Sequence, residues 1–218
     1  MEINAFQATD LQKILASHLP MYKSKMPHYQ TMMLNSLRTL WTGHPKRLID
    51  VGGGTGVIAQ AISQLFPVNE VQTIDVVDRF CKSLTVATDS YDGRTIPFET
   101  GSFDAATLNN VLHHVPVEER VNLFREIRRV VHGPLYIKDH VSTGLIDDVR
   151  LTALDAIGNI PFGGMIKAKY LSQQEWQSLA DNTGWTISAQ ISNIPYRSGL
   201  FAVLFPNRLE TTMRFDPS

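Results

Sequence analysis

Short apolar runs and longer amphipathic runs alternate along this chain, several of them ended by glycine or proline. That alternation predicts an α/β domain. Leu48-Ile49-Asp50-Val51 is short enough for a buried strand, and Val57, Ile58, Ala61, Ile62, Leu65 and Phe66 then recur at helix spacing. Further strands are expected over residues 71–78, 103–108 (the fourth) and 135–140 (the fifth). Between the last two, Pro116, Glu118 and Glu119 begin a helix that buries Leu123, Phe124, Ile127, Val130 and Val131, with Arg125, Arg128 and Arg129 on its solvated face. Ser172 and Glu175 form a capping box for a helix ended by Gly184. Residues 185–191 and 200–205 read as the last two strands, and the polar tail from Asn207 as frayed. Ahead of the first strand, two apolar stripes, one with Leu11, Ile14 and Leu15 and one with Tyr29, Met33, Leu37 and Trp41, make residues 1–44 helical. The stripes suit a core face, or a cover that brings Tyr22, Met26 or Tyr29 to a ligand.

The first strand breaks into Gly52-Gly53-Gly54-Thr55-Gly56 before its helix begins. Strand, glycine loop and helix let a backbone wrap a nucleotide-like ligand. A dinucleotide site needs G-x-G-x-x-G, which would put glycine where Val57 stands, and no Gly-Lys-Ser/Thr of a phosphate-binding loop follows. The pattern present is D-x-G-x-G-x-G on Asp50, Gly52, Gly54 and Gly56. Asp75 lies 19 residues beyond Gly56, at the end of the second expected strand, where a carboxylate can accept from two ribose hydroxyls; Asp78 is its rival.

Composition narrows the choice. The chain has 218 residues, 43% hydrophobic and 19% charged, and a net charge of −1. It therefore lacks the basic footprint of a general nucleic-acid binder. Cys81 is the single cysteine, so neither an internal disulfide nor a cysteine zinc site is expected. Met1-Glu2-Ile3-Asn4 does not open a signal peptide, and no run reaches the roughly 20 apolar residues of a membrane span. A cytoplasmic protein with no membrane partner is the expectation.

Asp92-Gly93, Pro97-Phe98, Phe103-Asp104 and Leu112-His113-His114 add to the glycine motif and Asp75. Together they resemble the class I S-adenosylmethionine (SAM) dependent methyltransferases, in the small-molecule branch that includes quinone-biosynthesis enzymes. The resemblance covers about residues 46–205. It implies a Rossmann-like three-layer fold with a seven-stranded, mostly parallel sheet whose last strand is antiparallel. One domain would fill residues 1–218, with a helical cover (1–44), a SAM-binding core (46–140), a lid-like insertion (141–171) and a C-terminal helix and hairpin (172–206). The resemblance further implies SAM as cofactor and S-adenosylhomocysteine (SAH) as product. Asp50, Gly52, Gly54 and Gly56 would shape the methionine and ribose pocket, Asp75 would hold ribose, Asp92 and Gly93 the adenine, and Asn109 the methionine end. Without the resemblance, Asp92-Gly93 is an ordinary turn.

The expected reaction is methyl transfer to an oxygen, carbon or nitrogen of a small acceptor. If that acceptor must lose a proton, His140, His113 and His114 are the candidate bases, in that order. Asp139 and His140 end the fifth strand and are expected at the mouth of the crevice. Adjacent histidines make a poor metal pair and the acid–amide set of the catechol-type enzymes is missing, so no metal is expected. The apolar, glycine-rich stretch 159–166 reads as a lid, with Lys167, Lys169 and Tyr170 available for polar contacts. Tyr196 and Arg197 fit either the pocket wall or an exposed turn. A protein or RNA methyltransferase and a non-catalytic SAM-binding protein remain the alternatives, and a homodimer is left open.

Overall fold

The computed structural model of the chain describes residues 5–159 and 168–218. Seven strands form one sheet in the order β3-β2-β1-β4-β5-β7-β6. They are β1 (Arg47–Val51), β2 (Glu70–Asp75), β3 (Ala87–Ser90), β4 (Ala105–Asn109), β5 (Leu135–His140), β6 (Trp185–Ser192) and β7 (Glu210–Pro217). The pairs among β1 to β5 are parallel, and β7 runs antiparallel to both of its neighbours. This is the fold class expected from the sequence, with the antiparallel strand last in the chain.

Alternating side chains send the strands' apolar groups to opposite faces. On one face Leu48, Ala105 and Tyr136 pack under α1 (Ala8–His18), α2 (His28–Leu40) and α3 (Val57–Leu65), against Leu15, Leu37, Trp41 and Ile62. On the other Ile49, Leu108 and Ile137 pack under α4 (Val117–Val130) and α6 (Gln173–Asp181), against Phe124, Ile127 and Trp176. Both faces are covered, which is why the central strands read as continuous apolar runs. The capping box of α6 is present: Glu175 N donates to Ser172 Oγ at 3.3 Å and Ser172 N to Glu175 Oε2 at 2.7 Å.

Two expectations near the C-terminus fail together. Residues 200–205 are not a strand; they belong mostly to helix α7 (Gly199–Leu204), none of whose residues is buried. The polar tail is instead β7, central in the sheet between β5 and β6, with Thr211, Thr212, Met213 and Phe215 buried. A continuous apolar run does not separate helix from strand. The polarity of β7 is absorbed inside: Glu210, fully buried, pairs with Lys138 of β5 and with Arg197 at 2.6 Å. The second strand also ends at Asp75, and Val76 and Val77 lie exposed in the turn beyond it. Helix α5 (Leu145–Asn159) follows β5. Ile160 to Ile166 of the expected lid, and Lys167, lie outside the described residues.

Candidate functional site

The chain runs from β1 outward to β3, then returns to the other side of β1 as β4. A crevice forms where the order reverses, beyond the carboxyl ends of β1 and β4. A cavity of about 510 Å³ lies there. One wall is Gly52, Gly53, Gly54 and Thr55 with Asp75, Asp92 and Gly93. The facing wall is the N-terminal cover: Leu19, Tyr22, Tyr29, Gln30 and Met33. Asn109, Asn110, Val111 and His114 close the side after β4, while Arg79 and Arg94 also contribute. Met26 and Asp78 are not among the lining residues.

The glycine spacing has a direct backbone cause. Gly52, Gly54 and Gly56 stand at φ +75°, +59° and +78°, which side chains rarely adopt. Gly53 is required for space instead, since a Cβ there would lie 1.9 Å from Thr73 Oγ1. A Cβ on Gly54 would meet no atom within 4 Å, so that residue leaves room for a ligand. The loop is pinned by Gly52 N and Gly53 N donating to Ile74 O, and by Gly54 N donating to Asp75 Oδ2 at 2.7 Å. Val77 N donates to the other oxygen of Asp75 at 3.0 Å. The Asp75 carboxylate is thus held rigidly at the cavity edge, with lone pairs left to accept hydroxyl donors. Asp92 is a turn residue as well as a lining one: its Oδ1 accepts from Arg94 N and Thr95 N, both at 2.8 Å.

Asp50 and Gly56 are corrections, because neither lines the cavity. Asp50 is buried beneath the loop, where its carboxylate accepts from Thr107 Oγ1 at 2.7 Å, Thr73 Oγ1 at 3.2 Å and Asn109 Nδ2 at 3.4 Å. Burial outweighs those bonds and pushes it up to about 6. Its work is to tie β1, β2 and β4 under the loop. Gly56 caps α3 and packs against Leu84.

The histidine order is also corrected. His114 lines the cavity, whereas His113 and His140 do not. His113 Nδ1 lies 2.5 Å from Asp139 Oδ1 and its Nε2 3.6 Å from Asp155. Burial works against its charge, but the two aspartates prevail and push it up to about 9. It is therefore an imidazolium at neutral pH, unsuited to accept a proton. His140 sits between Asp139 at 3.4 Å and Glu210 at 3.3 Å, buried under Tyr170 and β7. The end of β5 is no crevice mouth: Lys138, Asp139 and His140 are 0%, 1% and 6% exposed. The strand that covers them is the one the sequence disguised. The sets His113–Asp139–His140 and His113–His114–Asp155 bring possible metal ligands close together. In the first, His113 and Asp139 are hydrogen-bonded; in the second, Asp155 lies 3.6 Å from His113 Nε2 and 3.5 Å from His114 Nε2.

Residues 49–133 match the family model described as a methyltransferase domain. Over that stretch the chain matches a methyltransferase domain. Among relatives, norreticuline-7-O-methyltransferase of Papaver somniferum is 28% identical over 160 residues, 70% of this chain and 43% of that one. The chain spans less than half the length of the curated relatives it matches. Among solved structures, PH0226 protein from Pyrococcus horikoshii OT3 aligns with a TM-score of 0.66 at 15% identity, over 98% of this chain and all of that one. Magnesium protoporphyrin IX methyltransferase from Synechocystis PCC 6803, solved with bound SAH, aligns with 0.60 at 16% identity, over 91% and 87%. At such identities these structures share the fold. In this chain the cavity lies beside the glycine loop and the carboxylate fixed at the end of β2.

Proposed function

We propose that this protein transfers the methyl group of SAM to a small acceptor held under the N-terminal cover. The observation that carries this is the two-sided cavity, with the glycine loop and Asp75 on one wall and Tyr22, Tyr29 and Met33 on the other. A space of about 510 Å³ suits a cofactor with a compact acceptor rather than an exposed protein or RNA surface. In this reading Asp75 accepts the ribose hydroxyls, Gly93 and Asp92 edge the adenine, and Asn109 lines the methionine end. SAM supplies an electrophilic methyl on a sulfonium. The protein's task is then to orient the acceptor in line with it and to exclude water. His114 is the one histidine of the three at the cavity, so it takes the place of His140 as first candidate base. The distant O-methyltransferase relatives favour a hydroxyl-bearing small molecule.

Calorimetry with SAM and SAH on wild type and Asp75→Ala tests the cofactor site. Micromolar binding is expected, weakened at least about tenfold by the substitution, the scale of a lost charge-assisted hydrogen bond. A wild type that binds neither ligand would overturn the proposal. SAH formation across a panel of phenols, quinones and amines then tests the acceptor class.

A further inference from the structure

Lys138 has no exposed surface, yet its ammonium stands directly behind the cavity. Its three protons have three acceptors: Tyr29 Oη, Asn110 Oδ1 at 2.8 Å, and Glu210 Oε2. Tyr29 and Asn110 are both cavity-lining residues. The ammonium also lies 4.9 Å and 5.3 Å from the ring centres of Tyr29 and Tyr196. Glu210 does not belong to Lys138 alone, because Arg197 Nη1 donates to its other oxygen at 2.6 Å and His140 approaches at 3.3 Å. Two fixed cations therefore share one carboxylate. The next acid, Asp139, is already engaged by His113.

This arrangement dictates what the wall offers. The oxygen of Asn110 faces Lys138 and also accepts from Tyr29 Oη at 3.3 Å. Its amide N–H groups are left over, with only a weak contact at 3.9 Å to the sulfur of Met33, another lining residue. Tyr29 accepts from Lys138, so its own proton, now in that long bond to Asn110, is free to turn to a closer oxygen. Asn110 is held at φ +55°, a conformation that non-glycine residues adopt at a cost and that here aims the amide. The wall thus presents donors with a buried positive charge behind them, a match for an oxyanion.

Building on the methyl-transfer reading, we propose that the acceptor meets the Tyr29–Asn110 wall through an acidic oxygen, a phenol, enol or carboxylic acid bound as its anion. Lys138 is the positioning residue that favours that anion. The anionic oxygen then attacks the SAM methyl carbon, forming the O–CH3 bond as the S–CH3 bond breaks. The electron pair of the broken bond stays on sulfur, and the positive charge of the sulfonium is discharged. The acceptor's proton is released to solvent on binding rather than during transfer.

The test uses the full chain saturated with SAH and 4-nitrophenol as the probe, whose absorbance reports its ionisation. Bound probe should ionise at least about one pH unit lower than free probe, the scale of a nearby buried cation. Lys138→Met should abolish that shift while SAH affinity is kept, the latter also reporting that the variant folds. Tyr29→Phe removes one of the three acceptors of Lys138 but keeps Asn110 and Glu210, and should weaken probe binding about tenfold. Bound probe that ionises at the same or a higher pH, or no perturbation of the probe at any pH, overturns the inference even if Lys138→Met fails to fold. So does an unchanged shift in a folded Lys138→Met. SAH binding with an unshifted probe removes this inference alone, whereas absence of SAH binding removes the methyl-transfer reading beneath it.

Discussion

Gly53 shows how much of the site rests on single atoms. It has no positive φ, so the alternating motif Gly52-x-Gly54-x-Gly56 does not require it. Its constraint is the space taken by Thr73 Oγ1 and by Asp50 Oδ2, which a Cβ would approach to 1.9 Å and 2.9 Å. Gly53→Ala must therefore push Thr73 off Asp50 or lift the loop. Calorimetric affinity for SAH should fall at least about tenfold, with a stability loss of about 1–3 kcal/mol in urea, as for an overpacked core site. Unchanged affinity would mean that the loop tolerates displacement and that its exact path matters little. At this scale the placing of Gly52, Gly54, Asp75 and Asn109 on the cavity wall was legible, because each stands at or just beyond a strand end. Asp50 and His140 were not, because a polar side chain at a strand end can face the ligand or turn inward to bind its neighbours. Only the neighbours decide, and those came from β4, β7 and the segment around Tyr170.

At the scale of elements, β7 is the instructive case. Its polar residues resemble a solvated tail, but Glu210 is neutralised by Lys138 and Arg197, and Thr212 pairs with Ser36 Oγ at 2.7 Å. The apolar residues of α7 look like a strand, yet Leu200 and Val203 are 74% and 66% exposed. Periodicity recovered the elements whose burial follows from apolar side chains, such as α3, α4 and the first strands. It missed the one whose burial depends on distant ion pairs. A strand flanked on both sides cannot lose a backbone donor cheaply. Thr212 is opposite Lys138 on one side and Ile191 on the other. Thr212→Pro should cost about 3 kcal/mol or more, read from the urea midpoint. A frayed tail would shift the midpoint by less than about 0.5 kcal/mol, as ordinary surface substitutions do, and that result would count against a central β7.

Across the whole molecule, the ion clusters of the cavity's back wall form one buried system joining β5, α5, β7 and the turns that carry His113 and Arg197. His140 links its two halves, Asp139 with His113 and Asp155, and Glu210 with Lys138 and Arg197. Burial opposes the charge of Asp139 and of Glu210, but the cations around each hold both well below the usual carboxylate range. Their contribution to stability is present above the unfolded carboxylate range and is lost in acid. His113 has the opposite sign. Its folded value is raised from 6.5 to about 9 by the neighbouring aspartates, against burial. Its contribution is therefore complete below pH 6.5 and is lost as the pH rises through 9. By linkage the loss is on the order of 3 kcal/mol across that window. Urea unfolding at stepped pH should show wild type weakening between pH 6.5 and 9, and His113→Asn, less stable throughout the lower part, should stay nearly flat. Parallel curves for the two proteins would mean that His113 is neutral in the folded state. In that event the buried system would be a proton acceptor rather than a fixed scaffold of charge.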